Sequence, residues 1–337
     1  MTSTKLPVAL DAMGGDFAPT EIVAGAVRAR DELGIDVALV GRPDELAALG
    51  DVVAGFEVIE ASEVIAMDAD GARSVRTMKD SSLVRAAEAV RDGRACAMVS
   101  AGNTGATMAS ALLRMGRIKG VARPAIATPL PVPGSDRPTV LLDAGANAEC
   151  TPEYLVQFAQ MGAVFARQRF GIDAPRVGLL SIGEEDTKGS PLVKDTHKLL
   201  ATGGWIGPTG ASFIGNVEGR DLLTDDVDVV VTDGFTGNVA LKTLEGGMKT
   251  LVGALLGVFD TDDDTRAAAA TLMPALGPLY QTLDPENTGG AMLLGVDGVC
   301  IISHGSSHAT AVVNAVRVAH EMVASEVVDH LRAAIQA

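Results

Sequence analysis

Aromatic side chains and paired cysteines are both scarce in this sequence. Only 3% of its 337 residues are aromatic, so aliphatic side chains must build the hydrophobic core. The three cysteines, Cys96, Cys150 and Cys300, form no C-x-x-C pair, which argues against a disulfide framework or a zinc site. No apolar run is long enough to span a membrane, and no signal segment precedes the first strand pattern. We therefore expect a cytoplasmic protein with reduced thiols.

Positive charge is scarce as well. The chain has 27 Lys and Arg residues against 43 Asp and Glu residues, and its net charge of −16 disfavours a nucleic-acid partner. Ten of the bases nevertheless fall within residues 73–123, beside only three acids. Solvated helix faces are the simplest explanation of this stretch. The alternative is a docking surface for an acidic protein or a phosphorylated ligand.

Short apolar runs alternate with helical patterns from one end of the chain to the other. Such runs between helices are typical of a mostly parallel sheet covered on both faces, so we predict a three-layer α/β/α fold. Because no repeat, linker or clean break divides the chain, residues 1–337 are expected to form one domain. The predicted strands cover residues 8–11, 36–40, 56–60, 97–100, 125–129, 140–143, 177–181, 212–216, 227–232 and 299–303.

The loops after these strands carry most of the chemical information. In an open parallel sheet, ligands bind beyond the carboxyl ends of the strands. Seven such loops mix glycine with polar residues: 11–16, 100–105, 143–147, 183–189, 216–219, 233–238 and 303–307. Any one of them is explained by a turn and a helix cap, but seven at the same kind of position indicate a ligand site.

Two of these loops, 100–105 and 233–238, lead into helices and are candidates for holding an anion. Glycine lets backbone N–H groups face a ligand, and a helix N-terminus favours negative charge. Neither loop matches a nucleotide P-loop or a dinucleotide fingerprint, so a bare phosphate fits better than a nucleotide. The candidate residues for phosphate or an oxyanion are Gly102, Asn103, Thr104, Gly105, Thr236, Gly237 and Asn238.

His304 and Lys188 are the candidate titratable groups. His304 follows an apolar run and precedes a Gly-Ser-Ser helix start, where it could relay a proton or simply cap the helix. Lys188 could neutralise a phosphate or an oxyanion, or form a loop salt bridge with Glu184 or Glu185. Because neither an HExxH motif nor a G-x-S-x-G elbow is present, we expect no metal site and no covalent acyl-enzyme.

Assembled in order, these motifs resemble those of the phosphate acyltransferase (PlsX) family, the acyl-ACP:phosphate transacylases. The resemblance spans nearly the whole chain, and its combination of blocks is highly specific. The matching blocks are Val8–Asp16, Val99–Ala106, Leu142–Asn147, Leu180–Glu185 with Lys188-Gly189, Asp233–Asn238 and Ser303–Gly305.

The resemblance implies a phosphotransacetylase-like or isocitrate-dehydrogenase-like fold that forms a homodimer. The implied reaction converts acyl-ACP and inorganic phosphate into acyl phosphate and free ACP. The acyl phosphate would then feed a membrane glycerol-3-phosphate acyltransferase at the start of phospholipid synthesis. No metal or organic cofactor is implied.

We assign hypothetical roles to particular residues on this basis. His304, Lys188 and Asn147 are candidate catalytic residues, with His304 as proton donor or orienting group. Asp11, Asp143 and Asp233 are expected to position loops, since a carboxylate repels phosphate. The bases expected to dock the acidic carrier protein are Arg114, Arg117, Lys119 and Arg123.

The sequence departs from the family pattern at two places. Ile302 occupies a position where relatives commonly have Lys. In relatives, a projecting helical segment touches the membrane; the corresponding segment here, residues 248–287, carries only Lys249 and Arg266 as bases. We therefore expect weak peripheral membrane contact at most.

Three alternative functions remain open at the level of the sequence. One is a short-chain phosphotransacetylase that uses acyl-CoA. Another is a metal- and NAD-dependent β-decarboxylating dehydrogenase, for which we can assign neither a metal site nor a nicotinamide site. The last is a non-enzymatic phosphate-binding scaffold, which would bind its ligand without turnover.

Overall fold

A computed structural model describes residues 5–283 and 285–337. Within these residues eleven strands form one sheet. The strands are β1 (Val8–Asp11), β2 (Val37–Gly41), β3 (Glu57–Glu60), β4 (Ala97–Ser100), β5 (Ala125–Leu130), β6 (Thr139–Leu142), β7 (Arg176–Leu180), β8 (Ser212–Val217), β9 (Val229–Val231), β10 (Ala291–Leu294) and β11 (Val299–Ile302).

Helices connect the strands and cover both faces of the sheet. They are α1 (Thr20–Leu33), α2 (Pro43–Ala47), α3 (Gly71–Thr77), α4 (Ser82–Arg91), α5 (Thr104–Arg114), α6 (Pro152–Phe170), α7 (Pro191–Ala201), α8 (Gly234–Phe259), α9 (Asp263–Leu283), α10 (Ala309–Ala324) and α11 (Val327–Gln336). None of the helices in the described residues is long and apolar enough to cross a membrane.

The strand order is β3-β2-β1-β4-β11-β10-β5-β6-β9-β7-β8. The first five strands in this order are mutually parallel, and so are the last four. Between them, β10 is antiparallel to β11 and β5, and β5 is antiparallel to β6. The two parallel halves therefore run in opposite directions, and their carboxyl ends lie at opposite edges of the sheet.

Successive side chains of a strand point to opposite faces of the sheet, so the core forms two separate layers. Leu10 of β1 packs with the face covered by α1, α6, α10 and α11, whereas its neighbour Ala9 packs with the face covered by α4 and α5. Most strand residues are buried, as expected for a sheet covered on both sides. Cys96 and Cys300 are buried in this core, and burial raises the pKa of Cys96 to about 11.

The helices α8 and α9 leave the sheet as a long hairpin. Within α8 only Gly234 and Gly237, at its first turn, are buried, and Ala269 is the buried residue of α9 among those whose side chains are described. The exposed apolar side chains of the hairpin include Leu251, Leu255, Leu256, Val258, Leu272 and Met273. The predicted projecting helical segment at residues 248–287 is thus part of a helical hairpin.

The predicted three-layer, mostly parallel architecture is confirmed, but one strand was missing from the sequence prediction. Strand β10 has only four residues, and a turn at Gly295–Gly298 joins it to β11 as an antiparallel hairpin. Two apolar runs separated by a glycine-containing turn are a hairpin signal that the prediction overlooked. This strand, together with β5, reverses the direction of the sheet.

Candidate active site

The first group of predicted loops lies at the carboxyl ends of β1, β4 and β11, which we call the His304 edge. Ser100 Oγ donates to Asp11 Oδ2 at 2.7 Å and accepts from the backbone N–H of Gly102 at 2.9 Å. The backbone N–H of Asp16 donates to the carbonyl of Gly305 at 2.8 Å. The three loops are thus tied into one structure, in which Asp11 is buried.

Close backbone contact at this edge requires glycine. A Cβ on Gly14 would lie 2.4 Å from Asp11 Oδ2 and 2.7 Å from the Gly102 nitrogen. Burial raises the pKa of Asp11, although hydrogen bonds from Ser100 and Ser82 act in the opposite direction. The Asp11 carboxylate thus joins the loops that follow β1 and β4 through hydrogen bonds.

Asn103 caps α5 and anchors a neighbouring loop. Its Oδ1 accepts from the Ala106 N–H at 2.9 Å, and its Nδ2 donates to the carbonyls of Met67 and Ala69, both at 2.9 Å. The side chain is therefore fully used by the protein. Thr104 and Gly105, which follow it in the first turn of α5, are exposed and lie where backbone N–H groups lack helical partners.

His304 is exposed beside this helix start. Ser306 Oγ lies 2.8 Å from its Nδ1, and the Ser306 N–H donates to the same nitrogen at 3.3 Å. On the same edge, the exposed ring of Phe17 stacks on His308 at 4.5 Å, and Met67 is also exposed. The His304 edge thus combines a helix N-terminus, an imidazole and apolar side chains.

The second group lies at the carboxyl ends of β6, β7, β8 and β9, which we call the Asn147 edge. Its centre is Asp143, whose carboxylate accepts five hydrogen bonds at 2.8–3.1 Å. The donors are the backbone N–H groups of Ile126, Gly145, Ala146 and Asn147, and Nδ2 of Asn147. Burial nevertheless raises the pKa of Asp143, with these bonds opposing it.

The predicted donors at the Asn147 edge are already engaged. Asn147 Nδ2 donates to Asp143 and to the Pro124 carbonyl, both at 2.8 Å. Asp233 caps α8 by accepting from the Thr236 N–H at 2.9 Å and from the Thr236 hydroxyl at 2.8 Å. Asn238 Nδ2 donates to the Ala144 carbonyl at 3.1 Å. In these hydrogen bonds the donors bind groups of the protein and stabilise the loops.

Lys188 is also at the Asn147 edge, but its ammonium group is free. Within the described part of the chain, no carboxylate lies within 4.0 Å of Nζ, so the alternative interpretation, a salt bridge with Glu184 or Glu185, does not apply. Glu184 instead pairs with Arg220 at 3.0 Å. The exposed ammonium is available for an anion, yet it lies far from His304.

The two edges cannot hold one phosphate within a single chain. Ile301, Met292, Ala127 and Leu142 lie side by side in successive strands, so β10 and β5 separate β11 from β6. Three strand spacings amount to about 14 Å, and the loops leave the sheet in opposite directions. Within one chain, the predicted set of His304, Asn147 and Lys188 is therefore split between two edges.

The bases predicted to dock a carrier protein do not adjoin His304. Arg114 ends α5, 3.6 Å from Glu88, and Arg123 stacks over Tyr154 beside the Asn147 edge. Other bases of the same stretch lie nearer. The N-terminus of α3 touches that of α5, since a Cβ on Gly71 would lie 2.3 Å from the Ala106 nitrogen. The exposed bases of α3 and the residues after it are Arg73, Arg76 and Lys79.

The sequence analysis did not single out these α3 bases, whose helix begins against the start of α5, or Ser100 as a link between loops. The signal for the bases was present, since they open the basic stretch, but their position depends on the contact between two helix starts. Burial raises the pKa of Cys150, which lies near Asp143, to about 11, so its thiolate form is disfavoured at neutral pH. No cluster of metal-binding side chains occurs in the described residues.

Comparison with known proteins identifies the family of this chain. A family model described as a fatty acid synthesis protein matches residues 6–330. A phosphate acyltransferase of Elusimicrobium minutum is 50% identical over 331 residues, covering 96% of this chain and 94% of the relative. A phosphate acyltransferase of a Nostoc species is 45% identical, covering 98% of this chain and 97% of that one. The chain belongs to the phosphate acyltransferase family.

Solved structures relate the phosphate acyltransferase fold to that of phosphotransacetylases. A phosphotransacetylase from Streptococcus pyogenes superimposes with a TM-score of 0.65 at 17% identity, covering 95% of this chain and 94% of the other. One from Staphylococcus aureus gives 0.63 at 16% identity, with 96% of each chain covered. At such low identity the likeness shows the fold alone. The predicted phosphotransacetylase-like fold is confirmed.

Proposed function

We propose that this transferase moves a fatty acyl group from the thioester of an acyl carrier protein to inorganic phosphate, and that the transfer takes place at the His304 edge. The observation that carries the activity is the 50% identity to a phosphate acyltransferase along almost the whole chain. The choice of edge rests on which hydrogen-bond donors are free to bind an anion. At the Asn147 edge the side-chain donors of Asn147, Thr236 and Asn238 are engaged with the protein, although the Lys188 ammonium is free there. At the His304 edge, Thr104, Gly105 and His304 all face solvent.

Phosphate would bind at the first turn of α5. The helix N-terminus is capped by a neutral side chain, Asn103, so its partial positive charge is not cancelled by a carboxylate. At the other edge, the cap of α8 is Asp233, whose negative charge would repel phosphate. The Thr104 hydroxyl is an additional donor for the bound anion.

The chemistry asks little of the protein beyond positioning. A phosphate oxygen attacks the thioester carbonyl, the carbon–sulfur bond breaks, and acyl phosphate and a thiolate are formed. Phosphate is already an anionic nucleophile at neutral pH, so holding it in line provides most of the catalysis. The thiolate leaving group, with a pKa of about 8.5, needs one proton, which the imidazolium form of His304 would supply from Nε2. The proton that hydrogen phosphate loses on becoming acyl phosphate would then restore that imidazolium.

Apolar side chains at the same edge would receive the start of the acyl chain. Phe17 and Met67 are both 43% exposed, so each offers apolar surface beside these polar loops. A Cβ added to Gly305 would lie only 2.7 Å from the Met67 methyl group. This methyl group therefore packs against the residue that follows His304. A thioester bound at His304 would thus have apolar surface within reach.

The carrier protein would dock on Arg73, Arg76 and Lys79. Within the described residues these bases form no ion pair, whereas Arg85 and Arg91 of the next helix pair with neighbouring acids. Unpaired bases attract an acidic partner more effectively than paired ones. Arg114, Arg117, Lys119 and Arg123 remain the alternative docking surface.

The α8–α9 hairpin would serve assembly. Its exposed leucines offer an apolar surface for a second copy, in line with the homodimer that the family resemblance implies. Weak peripheral membrane contact would use the same surface and bring the acyl phosphate to a membrane glycerol-3-phosphate acyltransferase. Leu255→Ser with Leu256→Ser should lower both the dimer fraction in analytical ultracentrifugation and sedimentation with lipid vesicles. Unchanged values for both would contradict this role.

Release of free thiol from palmitoyl-ACP, with and without inorganic phosphate, tests the activity. Phosphate-dependent release with formation of acyl phosphate is expected. Activity on acetyl-CoA alone would make the protein a short-chain phosphotransacetylase, and binding of phosphate without turnover would make it a scaffold.

Two matched threonine variants test the edge. Thr104→Val removes a hydroxyl at the His304 edge and Thr236→Val removes one at the Asn147 edge. A hydrogen bond to a charged group contributes about 1.5–3 kcal/mol, so Thr104→Val should lower kcat/KM for phosphate about 10- to 100-fold. Thr236→Val should change it less than about threefold. The reverse result would move the reaction to the Asn147 edge, and equal losses would mean that edges of two copies act together.

A further inference from the structure

A cavity of about 350 Å³ lies outside the loops of both edges. Its walls come from the segment between β5 and β6, from the end of α6, from α10 and from the residues just before β10. Because β10 begins beside the end of β11, the cavity opens on the same side of the sheet as His304. No residue of the predicted site lines it.

Three arginines line this cavity: Arg137, Arg169 and Arg317. Two acids, Asp136 and Glu321, line it as well. In the part of the chain that the structure describes, none of these guanidinium groups lies within 4.0 Å of a carboxylate. The three arginines thus share the cavity with two acids but form no ion pair with them, so their guanidinium groups keep N–H donors that an anion can use.

Arg169 is the central residue of the cluster. Its Nη2 donates to the Thr288 carbonyl at 2.6 Å, whereas its Nη1 is buried and has no hydrogen-bond partner. The rings of Phe165 and Phe170 lie 5.6 and 5.2 Å from the guanidinium carbon and fix its orientation. Burial lowers the pKa of Arg169 to about 10, so the group is still cationic at neutral pH. A buried donor of this kind is costly unless a ligand accepts from it.

We propose that this cavity binds the phosphate group of a small organic ligand. Guanidinium groups bind phosphate oxygens through paired N–H donors, and Nη1 of Arg169 supplies a donor that is already desolvated. Three arginines and two acids leave one net positive charge, which suits a phosphate monoester or diester better than a polyphosphate. Phe170 and Val132, which also line the cavity, would contact the carbon skeleton of the ligand.

The ligand's phosphate could belong to a free metabolite or to the phosphate-bearing arm of the acyl donor. Phenyl phosphate is a suitable probe for both, since it combines one phosphate group with a compact apolar ring. Isothermal titration of the intact protein should show binding that Arg169→Gln weakens at least tenfold. Arg28→Gln, at a half-buried arginine of α1 that pairs with Glu32 and does not line the cavity, should leave the affinity within twofold.

Several outcomes would overturn the proposal. Equal affinity of the wild-type protein and Arg169→Gln would do so, and so would equally tight binding of phenylacetate, because the site would then not select phosphate. If Arg169→Gln does not fold by circular dichroism, the double variant Arg137→Gln with Arg317→Gln decides instead, since both side chains are exposed. These binding measurements need no turnover, so they stand or fall independently of the proposed transfer reaction.

Steady-state kinetics then separate the two sources of the phosphate. If the cavity holds the arm of the donor, Arg169→Gln raises KM for palmitoyl-ACP and phenyl phosphate competes with that substrate. If it holds a free metabolite, KM is unchanged while binding of phenyl phosphate is lost. Both results support a phosphate site.

Discussion

The backbone N–H of Ser306 donates to Nδ1 of His304 at 3.3 Å, and the Ser306 hydroxyl lies 2.8 Å from the same nitrogen. A ring nitrogen that accepts a backbone N–H carries no proton, so neutral His304 holds its proton on Nε2. Nε2 has no hydrogen-bond partner within the described residues. The serine thus orients the imidazole with its donor toward solvent, where the thioester would bind.

Replacing His304 by Gln should lower kcat for phosphate-dependent thiol release by about 100-fold, since a positioned general acid contributes typically 10²- to 10⁴-fold. Glutamine keeps a hydrogen-bond donor but cannot deliver a proton, so KM for palmitoyl-ACP should change little. His330→Gln, an exposed histidine on α11, is the matched control and should retain wild-type kcat. An unchanged kcat for His304→Gln would exclude His304 as the proton donor.

Ser306→Ala should have a smaller effect than His304→Gln because it removes only the hydroxyl contact. We expect kcat to fall about three- to tenfold, in line with the loss of one neutral hydrogen bond of about 1 kcal/mol. If the serine acts through the imidazole, the double variant of Ser306→Ala with His304→Gln should be no slower than His304→Gln alone. Additive losses in the double variant would show that Ser306 acts independently.

Carrier docking can be assigned by two triple charge reversals. Glutamate at Arg73, Arg76 and Lys79 should raise KM for palmitoyl-ACP at least tenfold while kcat stays similar, because docking is lost but the chemistry is not. Glutamate at Arg117, Lys119 and Arg123 should leave KM within about twofold. The wild-type KM should also rise with salt, as screening weakens exposed charge pairs. The opposite ranking of the two variants would restore the docking surface predicted from the sequence.

Two glycines of the same helix provide a matched test of loop packing. A Cβ on Gly237, in the first turn of α8, would lie 2.0 Å from the Asp143 carbonyl oxygen, whereas one on Gly246 would meet nothing within 4 Å. Gly237→Ala should therefore destabilise the protein by about 1–3 kcal/mol in urea unfolding. Gly246→Ala should stabilise it by up to about 1 kcal/mol, since alanine favours a helix. Equal unfolding midpoints for the two variants would contradict the close packing at Gly237.

The elements that sequence patterns predicted best are those whose pattern is local. Strand β1 at Val8–Asp11 and strand β4 at Ala97–Ser100 were predicted with their observed limits, because buried apolar runs end at glycine-containing loops. Strand β10 was missed because four apolar residues before a short turn give a weak signal. Its antiparallel pairing is a tertiary property, and the direction of half of the sheet depends on it.

The candidate site illustrates the same limit. The loops around His304 and Asn147 were both recognised, since glycine, asparagine and aspartate at strand ends are visible in the sequence. The sequence did not reveal that the two loops lie at opposite edges of the sheet. Nor did it reveal that the side-chain amide of Asn147 donates to Asp143. The partners of a polar side chain are fixed by contacts between distant segments, as when Asn103 binds the carbonyls of residues 67 and 69.

Asp11 should make the stability of the protein depend on pH in an unusual direction. Burial raises its pKa above the ordinary value of 3.8, so the folded protein binds this proton more tightly than the unfolded chain does. The contribution of Asp11 to stability is therefore greatest below about pH 4 and is lost as the pH rises through the raised value. The difference in unfolding free energy between wild type and Asp11→Asn should fall over that range, by at most about 1.4 kcal/mol per pH unit.

Asp31 provides the control of opposite sign. It is exposed, and its hydrogen bond to Arg30 at 2.7 Å lowers its pKa. Its stabilising contribution is therefore present above about pH 4 and is lost as the pH falls, so the difference between wild type and Asp31→Asn should rise slightly with pH. Urea unfolding of the three proteins from about pH 3 to about pH 8 measures both trends. If the Asp11 difference also rose with pH, the hydrogen bonds from Ser100 and Met13 would outweigh the cost of burying the carboxylate.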